Sequence, residues 1–236
     1  MTKKKSILIV GDSWGKGEMG PNFTIAHPGI NLYLEEFGYQ ITSKAFHGGT
    51  NRLSIHMIEK YYDSNYHDYI IFLFTDPTRD YEDFIDPYWA KSEEEIRFKF
   101  APLQPFPTQS NYKQLWLERR EAVLKEILPY NEKLILIGGN NRISKFAKQL
   151  GFKYTTDWID HIAPNNSAPE IWGTIEILNR VPRWWIEKNK EDLAKGKEQM
   201  IKTWASYDVF WPSGFHPNRE GHLIISNWIH NLIQTI

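Results

Sequence analysis

A chain of 236 residues, 41% hydrophobic and 24% charged, is long enough for one domain of generous size, and we read residues 1–236 as a single domain. Its 28 basic and 29 acidic residues nearly cancel, so bulk charge gives no reason to expect nucleic acid as a partner. The absence of cysteine excludes a disulfide framework and any thiolate metal site. Behind Lys3-Lys4-Lys5 the apolar run is only Ile7 to Val10, too short for a secretory signal core or a membrane span. The expectation is a cytoplasmic protein with no membrane partner. Aromatic residues reach 15%, with ten Trp and twelve Tyr, enough to supply ligand contacts as well as core.

The first element is Ser6 to Val10, a short apolar run closed by Gly11-Asp12-Ser13. Such a run reads as a buried parallel strand handing over to a loop, and in an open α/β sheet chemistry collects at that carboxyl edge. Ser13 therefore stands where a nucleophile is expected, although an ordinary turn would also choose Asp12 and Ser13 for cap hydrogen bonds. Trp14 to Pro28, rich in Gly and short polar residues, reads as a loop. A helix over Gly29–Phe37 ends at Gly38. Tyr39–Ala45 is the second strand, closing in His47-Gly48-Gly49-Thr50-Asn51. Asn51 can cap a helix to about Tyr62.

Tyr69–Phe74 is the third strand, closing in Thr75-Asp76-Pro77-Thr78-Arg79. From Asp80 to about Ser110 four prolines, Tyr88, Trp89 and several Phe break the rhythm. This is a first aromatic-rich insertion, with a short helix expected near Ser92–Phe98. Tyr112–Leu128 reads as an amphipathic helix. Leu134–Ile137 is the fourth strand, closing in Gly138-Gly139-Asn140-Asn141, and a helix runs to Leu150. Phe152–Thr156 is the fifth strand. A second aromatic-rich insertion covers about 158–188 and includes Trp172, Trp184 and Trp185, before a charged surface helix over Asn189–Trp204. A last helix over Asn218–Gln234 carries Leu223, Ile224, Ile225, Trp228, Ile229, Leu232 and Ile233 at helical spacing.

Strands alternating with helices imply βαβ units and right-handed crossovers. The fold class expected is α/β: a three-layer doubly wound sheet of five mainly parallel strands in the flavodoxin-like order 2-1-3-4-5.

His216 lies just ahead of the last helix, in Ser213-Gly214-Phe215-His216-Pro217-Asn218, followed by Gly221-His222. A serine after strand one, glycine loops after strands two and four, and a histidine before the final helix together resemble the SGNH hydrolase superfamily, the GDSL esterases and lipases. Gly11-Asp12-Ser13 is similar to that family's nucleophile block, and His216-Pro217-Asn218 with Gly221-His222 to its histidine block. The resemblance implies Ser13 as nucleophile, His216 as the base that takes its proton, and Asp12 beside them as part of the catalytic block. It implies an oxyanion hole from the Ser13 N–H and a glycine N–H, from Gly48 or Gly49, with Gly49 favoured. A strand-to-helix turn needing positive φ would explain the same glycines.

Two departures stand out. The family places an Asp three residues before the histidine, where this chain has Ser213. A Ser-His dyad oriented by a backbone carbonyl, or an acid drawn from Asp208, Asp157 or Asp160, would take its place. After strand three the family has an asparagine that donates to the oxyanion, whereas this chain has Asp76, read as a cap paired with Arg79 or as a residue redirecting the site. Loss of an oxyanion donor costs on the order of 100- to 1000-fold in rate, and loss of the orienting acid about 10,000-fold. Trp14, Asn51, Asp76, Arg79 and Asn140 are candidates for substrate contact.

Asp12, Asp76, His216 and His222 lack tight ligand spacing, so no metal is expected, and no phosphate loop or dinucleotide fingerprint calls for a cofactor. The expected activity is hydrolysis of small acyl esters, with O-acetylated carbohydrate suggested by the tryptophans. The alternative is an SGNH-fold binding or interaction protein with impaired catalysis.

Overall fold

The computed structural model describes residues 4–19, 25–77, 112–139, 142–162 and 216–236. The first insertion at 80–110, the second from residue 163 onward, the Asn189–Trp204 helix, and Arg79, Asn140, Asp208 and Ser213 lie outside the described residues.

Strand β1 (Ser6–Gly11) is buried along its whole length. It is flanked by β4 (Gln40–Ala45) on one side and β5 (Tyr69–Phe74) on the other. Beyond β5 lie β6 (Leu134–Gly138) and β7 (Tyr154–Asp157), giving the spatial order β4-β1-β5-β6-β7. All four pairings are parallel. Counting these five strands alone, the order is 2-1-3-4-5, as the alternating pattern predicts.

Alternation along the strands divides the core into two layers. Ile7, Ile9, Ile71, Leu73, Ile135 and Ile137 face one side, and Leu8, Val10, Ile70, Phe72, Leu134 and Leu136 the other. The first face is covered by α2 (Ile30–Glu36), α6 (Trp158–Ile162) and α7 (Arg219–Thr235). The second is covered by α3 (Asn51–Tyr61), α4 (Tyr112–Ile127) and α5 (Ser144–Gln149). Both faces of the inner strands β1, β5 and β6 are hidden, which is why those three read as continuous apolar runs.

Two expectations need correction. Trp14 to Pro28 is not a plain loop: it opens with a four-residue helix, α1 (Ser13–Lys16), and its described part includes an antiparallel ribbon of β2 (Glu18–Met19) and β3 (Ile25–His27). At Trp158, where the second insertion was expected to begin, the chain forms helix α6 with the indole fully buried. Elements of two to five residues have too little periodicity to read from sequence.

The chain leaves β1 toward β4 on one side and later returns to β5 on the other. The crevice above the carboxyl end of β1 is thus the switch point of the sheet, where open α/β folds bind ligands.

Candidate active site

The turn after β1 is built by glycine. Gly11 has a φ of +148°, and a Cβ there would stand 2.5 Å from that of Leu73. The same restriction recurs at Gly15, where a Cβ would meet Leu73 Cδ1 at 2.4 Å. With no side chains at these two points, the turn lies flat against β5. Asp12 caps α1, accepting the Trp14 N–H at 3.1 Å, and Ser13 becomes the first helical residue. An N–H at that position has no intrahelical acceptor.

The histidine arrives from the other end of the chain. Asn218 caps α7 by accepting the Gly221 N–H at 3.1 Å, which fixes where the preceding residues lie. Ser13 Oγ and His216 Nε2 are 2.7 Å apart, across 203 residues of sequence. Ser13 is only 5% exposed.

Trp158 holds the two ends together. Its indole meets Trp14 edge-on at 5.2 Å and His222 edge-on at 5.1 Å, and its Nε1–H donates to the Gly221 carbonyl at 3.0 Å. The helix carrying Ser13 and the first turn of α7 therefore pack on one side chain. Beside them, Arg219 Nε lies 3.3 Å from Glu18, pinning the start of α7 to the ribbon. His222 is fully buried and accepts the Ile30 N–H on Nδ1 at 3.3 Å. Burial lowers its pKa to about 3, so the ring is neutral.

The loop after β4 is laid against the same turn. Phe46 N–H donates to the Gly11 carbonyl at 2.9 Å, and a Cβ on Gly49 would stand 2.9 Å from that oxygen. Gly48 takes a φ of +69° at the tip. Gly49 N–H, the favoured oxyanion donor from sequence, is directed instead at the Phe46 carbonyl, 3.0 Å away. It closes the turn. The ring of His47, which sequence reasoning passed over, lies with its centroid 6.5 Å from that of His216.

Asn51 does not cap α3. Thr50 does, accepting the Leu53 N–H at 3.1 Å. The Asn51 amide, fully buried, instead pairs with both backbone groups of Thr75: Nδ2–H donates to its carbonyl at 3.1 Å, and Oδ1 accepts its N–H at 3.0 Å. Thr75 Oγ1–H in turn donates to Asp12 Oδ2 at 2.7 Å. Trp14, Asn51 and Asp76, three of the substrate-contact candidates, are all buried, as Ser13 is.

Asp157 holds the start of α5, accepting from Ile143 N–H at 2.7 Å, from Ser144 N–H at 3.1 Å and from the Ser144 hydroxyl. Burial raises its pKa against the opposing pull of those bonds. The Asp157 carboxylate is thus engaged by the start of α5. Asp160 pairs with Arg142 at 2.6 Å. Among the described residues no cluster of three His, Asp or Glu could hold a metal ion, and no helix is long and apolar enough to cross a membrane.

No protein-family model and no curated protein matches this chain. It is similar to solved structures at low identity. A lipase/acylhydrolase from Enterococcus faecalis shares 14% identity over 98% of this chain and 96% of its own, with a TM-score of 0.47. An acetylxylan esterase from Geobacillus stearothermophilus shares 14% over 97% and 94%, with a TM-score of 0.42. A two-domain esterase active on acetylated mannans shares 13% over 98% of this chain and 49% of its own, with a TM-score of 0.48. At these values the chemistry has to be read from the site itself.

Proposed function

We propose that this chain is a serine-dependent ester hydrolase of the SGNH type, acting on small acyl esters through a Ser13 acyl-enzyme. The observation that supports it most is the 2.7 Å separation of Ser13 Oγ and His216 Nε2 at the switch point of the sheet. A serine hydroxyl is a weak nucleophile at neutral pH, and an imidazole within hydrogen-bond reach supplies the missing base.

His216 Nε2 takes the Ser13 proton as Oγ bonds to the ester carbonyl carbon, and the carbonyl oxygen becomes an oxyanion. The Ser13 N–H and the Gly48 N–H are the donors we assign to it, since the Gly49 N–H closes its own turn. The intermediate collapses by breaking the C–O bond to the alcohol, which leaves with the proton from His216. Water then attacks the acyl carbon and gives its proton to Nε2. Collapse releases the acid and returns the proton to Ser13 Oγ. In the resting state Nε2 accepts the Ser13 hydroxyl, so Nδ1 carries the hydrogen.

Within this class we favour acetyl groups on carbohydrate. Trp89, Trp172, Trp184 and Trp185 stand in the two long connections that follow β5 and β7, and flat aromatic faces suit pyranose rings. A second reading, a binding protein on the same scaffold, is favoured by the buried Asp76 where an asparagine donor is expected and by Ser213 in place of an acid.

An acetyl-ester assay with Ser13→Ala alongside tests the first reading. Loss of the nucleophile is expected to lower kcat by a factor on the order of 10,000 or more. Equal hydrolysis by the two proteins would overturn it.

A further inference from the structure

We infer that Thr75 is a positioning residue for the reaction, holding the nucleophile turn through Asp12; this rests on the reading of Ser13 as the nucleophile. The ladder between β5 and β6 ends at the pair Phe74 and Gly138, one residue before Thr75. Beyond that point the sheet no longer satisfies the backbone. The Asn51 amide takes over, pairing with the Thr75 N–H and carbonyl at 3.0 and 3.1 Å. The backbone of Thr75 is thereby fixed, and its hydroxyl is aimed at Asp12 Oδ2, 2.7 Å away.

Asp12 uses its other oxygen, Oδ1, to cap α1 at the Trp14 N–H, the residue next to Ser13. One carboxylate thus has an oxygen on the nucleophile turn and an oxygen on Thr75. All three side chains are nearly sealed from water, with Asn51 at 0%, Thr75 at 5% and Asp12 at 9% exposure. In that setting a charge-assisted O–H···O bond is strong and directional. The chain Asn51–Thr75–Asp12 connects the loops after β4, β5 and β1, which carry the proposed oxyanion donors and nucleophile. Removing the hydroxyl takes away the bond that ties Asp12 Oδ2 to β5 and lets the Ser13 turn shift, and misplacements near 1 Å cost up to about 100-fold in rate.

The test compares Thr75→Val, which keeps the shape and loses the hydroxyl, with Thr75→Ser, which keeps the hydroxyl. Steady-state kinetics on a small acetyl ester and the rate of inactivation by a fluorophosphonate are measured on each. Thr75→Val is expected to lower kcat and the inactivation rate about 10-fold, with KM within about twofold of wild type. Thr75→Ser is expected within about twofold of wild type in all three. If Thr75→Val does not fold, Thr75→Cys, a much weaker donor of similar size, carries the comparison and is expected to be several-fold slower. A Thr75→Val or Thr75→Cys protein with wild-type kcat would overturn the proposal, whatever its melting temperature. So would a Thr75→Ser protein as slow as Thr75→Val. Wild-type protein that neither turns over ester nor takes up the phosphonate would instead sink the reading of Ser13.

Discussion

His222 shows how a titratable group can serve a site while staying neutral. Its ring lies between Trp158 and the Gly29–Ile30 backbone, where a Cβ on Gly29 would stand 2.7 Å from Nδ1. Burial is the main cause of its pKa near 3, and the neighbouring His216 and His27 push the same way. Below about pH 6.5 an unfolded chain binds a proton at this position that the folded chain refuses. Stability from His222 is therefore complete above pH 6.5 and is lost as pH falls toward 3, by up to about 1.4 kcal/mol per pH unit. Denaturant titrations across this range are expected to show a flatter profile for His222→Gln than for wild type. Parallel profiles would contradict the assignment. Also at this scale, Ser13 and His216 were legible as a pair through the resemblance of the blocks around them, since Gly11-Asp12-Ser13 after a strand also reads as an ordinary turn. Asn51 and Asp157 were not, because a buried amide or carboxylate looks the same whether it faces a substrate or a backbone. Thr75 gave only the weak signal of a polar residue closing an apolar strand.

At the scale of elements, the capping of α7 decides where His216 sits. Asn218 accepts the Gly221 N–H while the helix face behind it buries Ile225, Ile229 and Ile233. Asn218→Ala is expected to cost about 1 kcal/mol, lowering the melting midpoint by a few degrees. It is also expected to slow phosphonate uptake at Ser13, since His216 is two residues away. An unchanged midpoint would show that tertiary packing alone places the helix. The inner strands β1, β5 and β6 were readable because burial on both faces demands apolar runs. The edge strands β4 and β7 are polar and partly exposed and were placed by their spacing between helices. The β2–β3 ribbon and helices α1 and α6 were hidden by their brevity. Their conformation is set by contacts such as Trp14 on Trp158, joining residues 144 apart, rather than by local propensity.

Over the whole molecule, an alcohol near the start of the chain meets an imidazole near its finish because β1 is an inner strand and α7 packs on its face of the sheet. Trp158 and the Arg219–Glu18 pair brace that meeting. A doubly wound sheet makes the crevice, and the loops after its three neighbouring strands furnish it. What remains is whether the pair reacts. Mass spectrometry of the full chain treated with a fluorophosphonate tests this most directly. The account predicts one adduct, mapped to Ser13, absent in Ser13→Ala and formed at least about 100-fold more slowly in His216→Ala. Wild-type protein that stays unmodified at Ser13, or His216→Ala that is labelled as fast as wild type, would contradict it.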